Sequence, residues 1–159
     1  MSKYILLIFL LTFISCNVAR FSSMPQTAAN INFTTIALVN KPAKETVYTA
    51  NTKNEYFVQI NTLLTEAQIL DVIGKAYAAN NYGFSKFNRA DKVVFAERGA
   101  RLNEWKSLAG IYYQIDEANN QTNLYILVKI TQDITGGFKE NRAKKLGLVI
   151  EKYYTNTAK

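Results

Sequence analysis

The clearest pattern in the chain is that of an amphipathic helix in the middle of the sequence. Thr65-Glu66-Ala67-Gln68 fits a capping box, in which Thr65 is the N-cap and Gln68 is the third helical residue. Asn80-Asn81-Tyr82-Gly83 predicts the end of the helix, because glycine is common at the position that follows a helix. Between these signals the apolar residues recur with helical spacing. The predicted core face of this helix consists of Ile69, Ile73, Ala76 and Tyr77.

Alternating apolar and polar residues predict strands on both sides of this helix. The predicted strands are 31–39, 55–61, 84–98, 105–116 and 124–131. We expect the third of them to bend near Asp91. Because the strands after the helix are joined by short polar connections, they are predicted to form an antiparallel meander.

A second helix is predicted over 138–154, near the end of the chain. Its apolar stripe consists of Ala143, Leu146, Val149, Ile150 and Tyr153. The predicted order of elements is therefore β-β-α-β-β-β-α. Since every element has one apolar face, two layers bury these faces most simply. We expect a single α+β domain over 31–159, with an antiparallel sheet of four to five strands packed against both helices.

The N-terminus has the pattern of an export signal. Lys3 precedes an apolar run over 4–15, which is shorter than the roughly 20 residues of a membrane-spanning helix. A cut before Cys16 would place Phe13 at position −3, where conventional signal peptides have a small residue. Phe13-Ile14-Ser15-Cys16 instead resembles the lipobox of bacterial lipoproteins, although that family more often has Leu in place of Phe13.

This resemblance implies that Cys16 becomes the lipidated first residue of the mature protein. Residues 1–15 are then the signal peptide, and 16–30 are a lipidated N-terminus and flexible tether. Asn17 stands where many lipoproteins retained at the inner membrane have Asp. The resemblance therefore implies an anchor in the outer membrane, with the domain facing the periplasm.

Composition limits the chemistry that the mature domain can perform. The chain has no histidine, and Cys16 is its one cysteine. Histidine is the commonest general base and metal ligand, so we expect no metal site, no cofactor and no enzymatic activity. The net charge of +7 suits nucleic acid, but an exported lipoprotein would rarely meet it. Anionic lipid headgroups and an acidic partner remain open as counterparts of this charge.

Two features could nevertheless support a function. The first is a set of carboxylates near turns, which could serve an acid-only hydrolase: Glu97, Glu104, Asp116 and Glu117. Exposed turns with solvated charges are the favoured interpretation, because neither flank places these carboxylates in an apolar environment. The second is an apolar and aromatic patch on the face of the sheet opposite the helices. Its predicted partner-binding residues are Leu108, Tyr112, Tyr125 and Leu127.

The order of elements is similar to that of helix-grip and related α+β domains of envelope lipoproteins, including accessory subunits of outer-membrane barrel assembly. The resemblance covers 55–154 and concerns the fold alone. We therefore hypothesise a non-enzymatic lipoprotein that binds an envelope protein or stabilises an assembly. The alternatives are an immunity or inhibitor lipoprotein directed against a secreted toxin, and the acid-only hydrolase.

Overall fold

A computed structural model describes residues 21–40, 54–99, 106–130 and 141–157. Its fold is α+β, as the sequence predicts. A 3₁₀ turn over Ala28–Asn30 precedes the regular elements. The helices are α1 (Phe33–Asn40), α2 (Glu66–Ala79) and α3 (Arg142–Thr157). The strands are β1 (Asn54–Ile60), β2 (Gly83–Asn88), β3 (Val93–Arg98), β4 (Ser107–Asp116) and β5 (Gln121–Ile130).

The five strands form one antiparallel sheet in the order β1-β5-β4-β3-β2. Strands β2 to β5 follow one another as an antiparallel meander, which has four strands where the sequence predicts three. Strand β1 pairs with β5 at the far edge, with Tyr56 opposite Ile126. The longest pairing joins β4 to β5 from Ser107↔Ile130 to Asp116↔Gln121. The strand order places both of these strands in the interior of the sheet.

Helices α2 and α3 pack on one face of the sheet, which we call the inner face. The capping box at Thr65 is present, and both of its reciprocal hydrogen bonds are formed. The Leu64 N–H donates to Thr122 Oγ1 at 3.0 Å, which fixes the start of α2 to β5. Inside the core, the Tyr77 hydroxyl donates to the Val94 carbonyl at 2.8 Å. The predicted helix and its core face are thus confirmed.

The prediction of a strand over 31–39 is wrong, because this segment forms α1. Asn32 Oδ1 accepts a hydrogen bond from the Thr35 N–H at 3.0 Å, as an N-cap residue does. The β-branched residues of this segment favoured a strand, but tertiary packing can override such a weak preference. Buried Phe33 and half-buried Ile36 both pack against the sheet.

The predicted extended segment 84–98 consists of two strands. β2 and β3 are joined by a turn, and Asn88 pairs with Val93 across it. Lys92 has a φ of 49°, which is a left-handed conformation typical of turns. The bend expected near Asp91 is therefore a complete reversal of the chain.

Gly147 in α3 allows the helix to approach β1 closely. A Cβ at this position would overlap the ring of Tyr56, whose hydroxyl donates to Glu151 Oε1 at 3.0 Å. We expect Gly147→Ala to lower the free energy of unfolding by about 1–3 kcal/mol, as overpacking does. Urea denaturation followed by circular dichroism would measure the change.

Gly74 in α2 provides the matched control, because a Cβ there has no atom within 4 Å. Gly74→Ala should stabilise the protein by up to about 1 kcal/mol through helix propensity alone. If Gly147→Ala gave the same gain, the close approach of α3 to β1 would be wrong.

Candidate functional site: the outer face of the sheet

The predicted partner-binding residues lie side by side on the face of the sheet opposite α2 and α3, which we call the outer face. Tyr112 in β4 stands directly opposite Tyr125 in β5, and Leu127 stands opposite Gly110. Leu108 lies further along β4, on the same face. The register therefore brings the predicted residues into one patch.

This patch is not accessible to a partner, because the chain covers it. The exposed fraction is 1% for Leu108, 0% for Tyr112, 7% for Tyr125 and 4% for Leu127. The expectation of an exposed binding patch is thus wrong in this conformation. The outer face is the floor of a second hydrophobic core.

The cover consists of residues 21–36, which we call the N-terminal strap. Met24, Ala28 and Phe33 are buried in the second core, and Phe21 and Ile36 are partly buried against it. The expectation of a flexible tether over 16–30 is therefore wrong for residues 21–30. Most of the strap crosses the strands without forming a regular element. Its apolar residues are therefore irregularly spaced, and the sequence shows neither helical nor strand periodicity over this segment.

Hydrogen bonds fix the direction of the strap across the sheet. The Lys129 ammonium donates to the Ser23 carbonyl. The Tyr112 hydroxyl donates to the Pro25 carbonyl at 2.7 Å, and the Ala28 N–H donates to the Asp91 carbonyl at 2.7 Å. The strap therefore runs from the end of β5 towards the turn between β2 and β3.

A continuous row of aromatic rings runs from the strap onto the sheet. Ring centroids are 5.5 Å apart for Phe21 and Phe95, 6.2 Å for Phe95 and Tyr112, and 6.0 Å for Tyr112 and Tyr125. The Phe95 and Tyr112 rings meet edge to face at 90°, which suits the quadrupoles of the rings. Together these contacts join the strap to the middle strands.

Burial also sets the chemistry of the two tyrosines. It raises the pKa of Tyr112 above its ordinary value. It raises the pKa of Tyr125 as well, and the nearby carboxylate of Glu55 raises that pKa further. A tyrosine hydroxyl is ordinarily protonated near neutral pH, and the raised pKa values keep these two protonated to higher pH. Both therefore act as hydrogen-bond donors and not as bases.

An open cleft lies where the strap meets the turn between β2 and β3. Its volume is about 350 Å³, and its lining includes Thr27, Phe33, Asp91, Lys92 and Gln114. The Thr27 hydroxyl donates to the Asp91 carbonyl at 3.4 Å. This cleft combines one acidic and one basic side chain with an apolar wall.

The carboxylates proposed for an acid-only hydrolase have structural partners. Glu97 forms an ion pair with Lys106. Asp116 accepts hydrogen bonds from the backbone and side-chain nitrogens of Asn119 at 3.2 and 2.8 Å, which shapes the turn after β4. Glu117 is exposed in that turn. Glu104 lies outside the described residues.

Glu97 and Asp116 are at opposite ends of the sheet. Glu97 pairs with Leu108, which lies eight positions before Asp116 along β4. At about 3.4 Å per residue this spacing is roughly 27 Å, so the two carboxylates do not share a site. Within the described ranges, no group of three or more Asp, Glu, His or Cys side chains could hold a metal ion.

Comparisons with known proteins add no assignment. No family model matches the chain, and no curated protein is significantly similar to it in sequence. In the described part of the chain, no helix is both long enough and apolar enough to cross a membrane. Cys16, the predicted lipidation site, lies outside the described residues.

The burial of the outer face can be tested by truncating Leu108. Leu108→Ala should lower the free energy of unfolding by about 2–5 kcal/mol, because it creates a cavity under the strap. Chemical denaturation would measure the loss.

Leu148→Ala is the matched control, since Leu148 on α3 is 46% exposed and should change stability by less than about 0.5 kcal/mol. Equal, small effects of both substitutions would contradict the second core and restore Leu108 to an exposed surface.

Proposed function

We propose that the protein is a lipoprotein anchored through Cys16, whose domain acts at the membrane as a non-enzymatic binding or assembly module of the cell envelope. The lipobox-like sequence Phe13-Ile14-Ser15-Cys16 is the basis for the anchor. A cysteine thiolate is a strong nucleophile and suits acylation. Two or more acyl chains give stable membrane attachment.

The observation that carries the proposal is the short distance along the chain between Cys16 and the folded domain. The described structure begins at Phe21, whose ring already packs on Phe95. Only residues 17–20 separate the two positions. At up to about 3.6 Å per residue, the chain from Cys16 to Phe21 spans at most roughly 18 Å. An anchor at Cys16 would therefore hold the domain close to the membrane surface.

The polar groups of the domain support a binding role over a catalytic one. The buried hydroxyls of Ser107 and Thr122 are engaged inside the fold, with Tyr82 and with the Thr62 carbonyl. The Tyr113 hydroxyl donates to Glu66 Oε1 at 2.7 Å. Histidine is absent from the whole sequence. Because these groups stabilise the fold, we favour recognition over catalysis as the function of the surface.

Metabolic labelling with a fatty acid tests the anchor. We expect label on the wild-type protein and none on Cys16→Ser, because Cys16 is the only cysteine. Membrane fractionation should recover the wild-type protein with the membranes. Label that persists in Cys16→Ser, or wild-type protein without label, would contradict lipidation at this residue.

Crosslinking in intact cells tests the binding role. The tagged wild-type protein should recover a stoichiometric envelope protein from the membrane fraction. Cys16→Ser is the control, because it should lose this partner if the anchor brings the two together. Recovery of no partner under gentle crosslinking would count against a binding or assembly module.

A further inference from the structure

In the described residues, basic and acidic side chains are concentrated at opposite ends of the sheet. We call one end the Arg98 end, where β3 finishes at Arg98, β4 begins at Ser107 and β5 finishes at Ile130. Helix α3 also begins there, because the Ala143 N–H donates to Asn54 Oδ1 at 2.7 Å and Asn54 is the first residue of β1. The opposite end carries the turns that follow β2 and β4.

The Arg98 end is rich in basic residues. Those in the described ranges are Arg98, Lys106, Lys129, Arg142, Lys144 and Lys145, and the acidic ones are Glu55 and Glu97. At the opposite end the balance reverses: Glu66, Asp91, Asp116 and Glu117 accompany Arg89 and Lys92. Among the described residues, one end of the sheet is therefore positive and the other is negative.

The start of α3 strengthens the positive end. Its first turn contains Arg142, Lys144 and Lys145 and no acidic residue. The N-terminus of a helix carries partial positive charge, so basic residues in that position are unfavourable for the helix itself. The Lys144 and Lys145 side chains are exposed. An anionic surface in front of them would be attracted by these side chains, whereas the Ala143 and Lys144 N–H groups of the helix are already capped by Asn54 and Asn141.

The described part of the strap begins near this same end. Ser23 is held by Lys129, and the strap then runs away towards Asp91. The described chain thus begins on the side of the Arg98 end. Because the chain from Cys16 to Phe21 reaches at most roughly 18 Å, an anchor at Cys16 would bring the basic end towards the headgroups in preference to the acidic end.

We propose that the Arg98 end is a membrane-facing surface that binds anionic phospholipid headgroups and so orients the anchored domain. Lys129, Lys144 and Lys145 supply the charge, because the charge of Lys106 is balanced by Glu97, and the phosphate groups of the lipids are the ligands. The orientation rests on the proposed function, because it needs the anchor at Cys16. The affinity for anionic lipid is a property of the folded domain alone. The acidic end then points away from the membrane, towards the surrounding compartment.

Vesicle cosedimentation of the mature chain from residue 16, carrying Cys16→Ser so that no lipid is attached, tests this surface. This chain contains every residue that the structure describes. We expect binding to vesicles of phosphatidylcholine mixed with phosphatidylglycerol, and none to phosphatidylcholine alone. Binding should weaken as salt is added, because salt screens exposed charges.

Lys144→Gln/Lys145→Gln identifies the surface. Each basic residue near an anionic membrane contributes about 5-fold to binding, so the double substitution should lower partitioning roughly 25-fold. Lys86→Gln/Lys152→Gln is the matched control, since it removes the same charge from exposed positions away from the Arg98 end. We expect a clearly smaller loss for this control. Circular dichroism should show the same helix content in both variants.

Several outcomes would overturn the proposal. The proposal is wrong if the wild-type protein does not bind anionic vesicles. It is also wrong if the two double variants lose binding equally, because net charge would then explain the binding. Binding to polyglutamate through Lys144 and Lys145, without vesicle binding, would make the Arg98 end a site for an acidic protein. Fatty-acid labelling separates the two proposals. Labelled Cys16 without vesicle binding removes only the surface, whereas vesicle binding without label removes the anchor and the orientation that needs it, and leaves the lipid-binding surface.

Discussion

The whole structure depends on covering a sheet whose middle strands are apolar on both faces. β4 is buried without interruption from Ser107 to Tyr113. The odd positions of this stretch face α2 and α3, and the even positions face the N-terminal strap. An uncovered outer face would expose Leu108, Tyr112 and their neighbours to water as one large apolar patch, which soluble surfaces rarely tolerate. The strap is therefore part of the folded domain and not an appendage to it.

This constraint explains why the two cores differ in construction. The inner core is closed by two helices with regular apolar stripes, and α2 is fixed by its capping box at Thr65. The outer core is closed by a short, irregular segment that relies on individual anchors, above all Met24 and Phe33. Gly110 opens the space for Met24, because a Cβ there would come within 3.1 Å of the Met24 methyl group. The outer core has fewer buried residues than the inner one, so each contact in it carries a larger share of the burial.

The sequence predicted those parts of the fold that local signals determine. Capping at Thr65 and helical spacing located α2, and alternation located the strands of the meander. The segment 31–39 shows where local signals fail: its β-branched residues favour a strand, whereas the structure forms a helix that packs on the distant sheet, including β1. For the candidate site, alternation correctly grouped Leu108, Tyr112, Tyr125 and Leu127 on one face. It could not reveal their burial, since the residues that cover them lie about 80 to 100 positions earlier and show no period.

The path of the strap has a consequence for the order of events during synthesis. Its hydrogen bonds connect residues that are 64, 87 and 106 positions apart in the chain. Contacts between such distant residues form late, because a long loop must close first. In a chain that crosses a membrane N-terminus first, the strap emerges well before the strands on which it packs. If Cys16 is lipidated as proposed, the modifying enzymes would meet an undocked segment, and the docking of the strap onto β4 and β5 would become the last step of maturation.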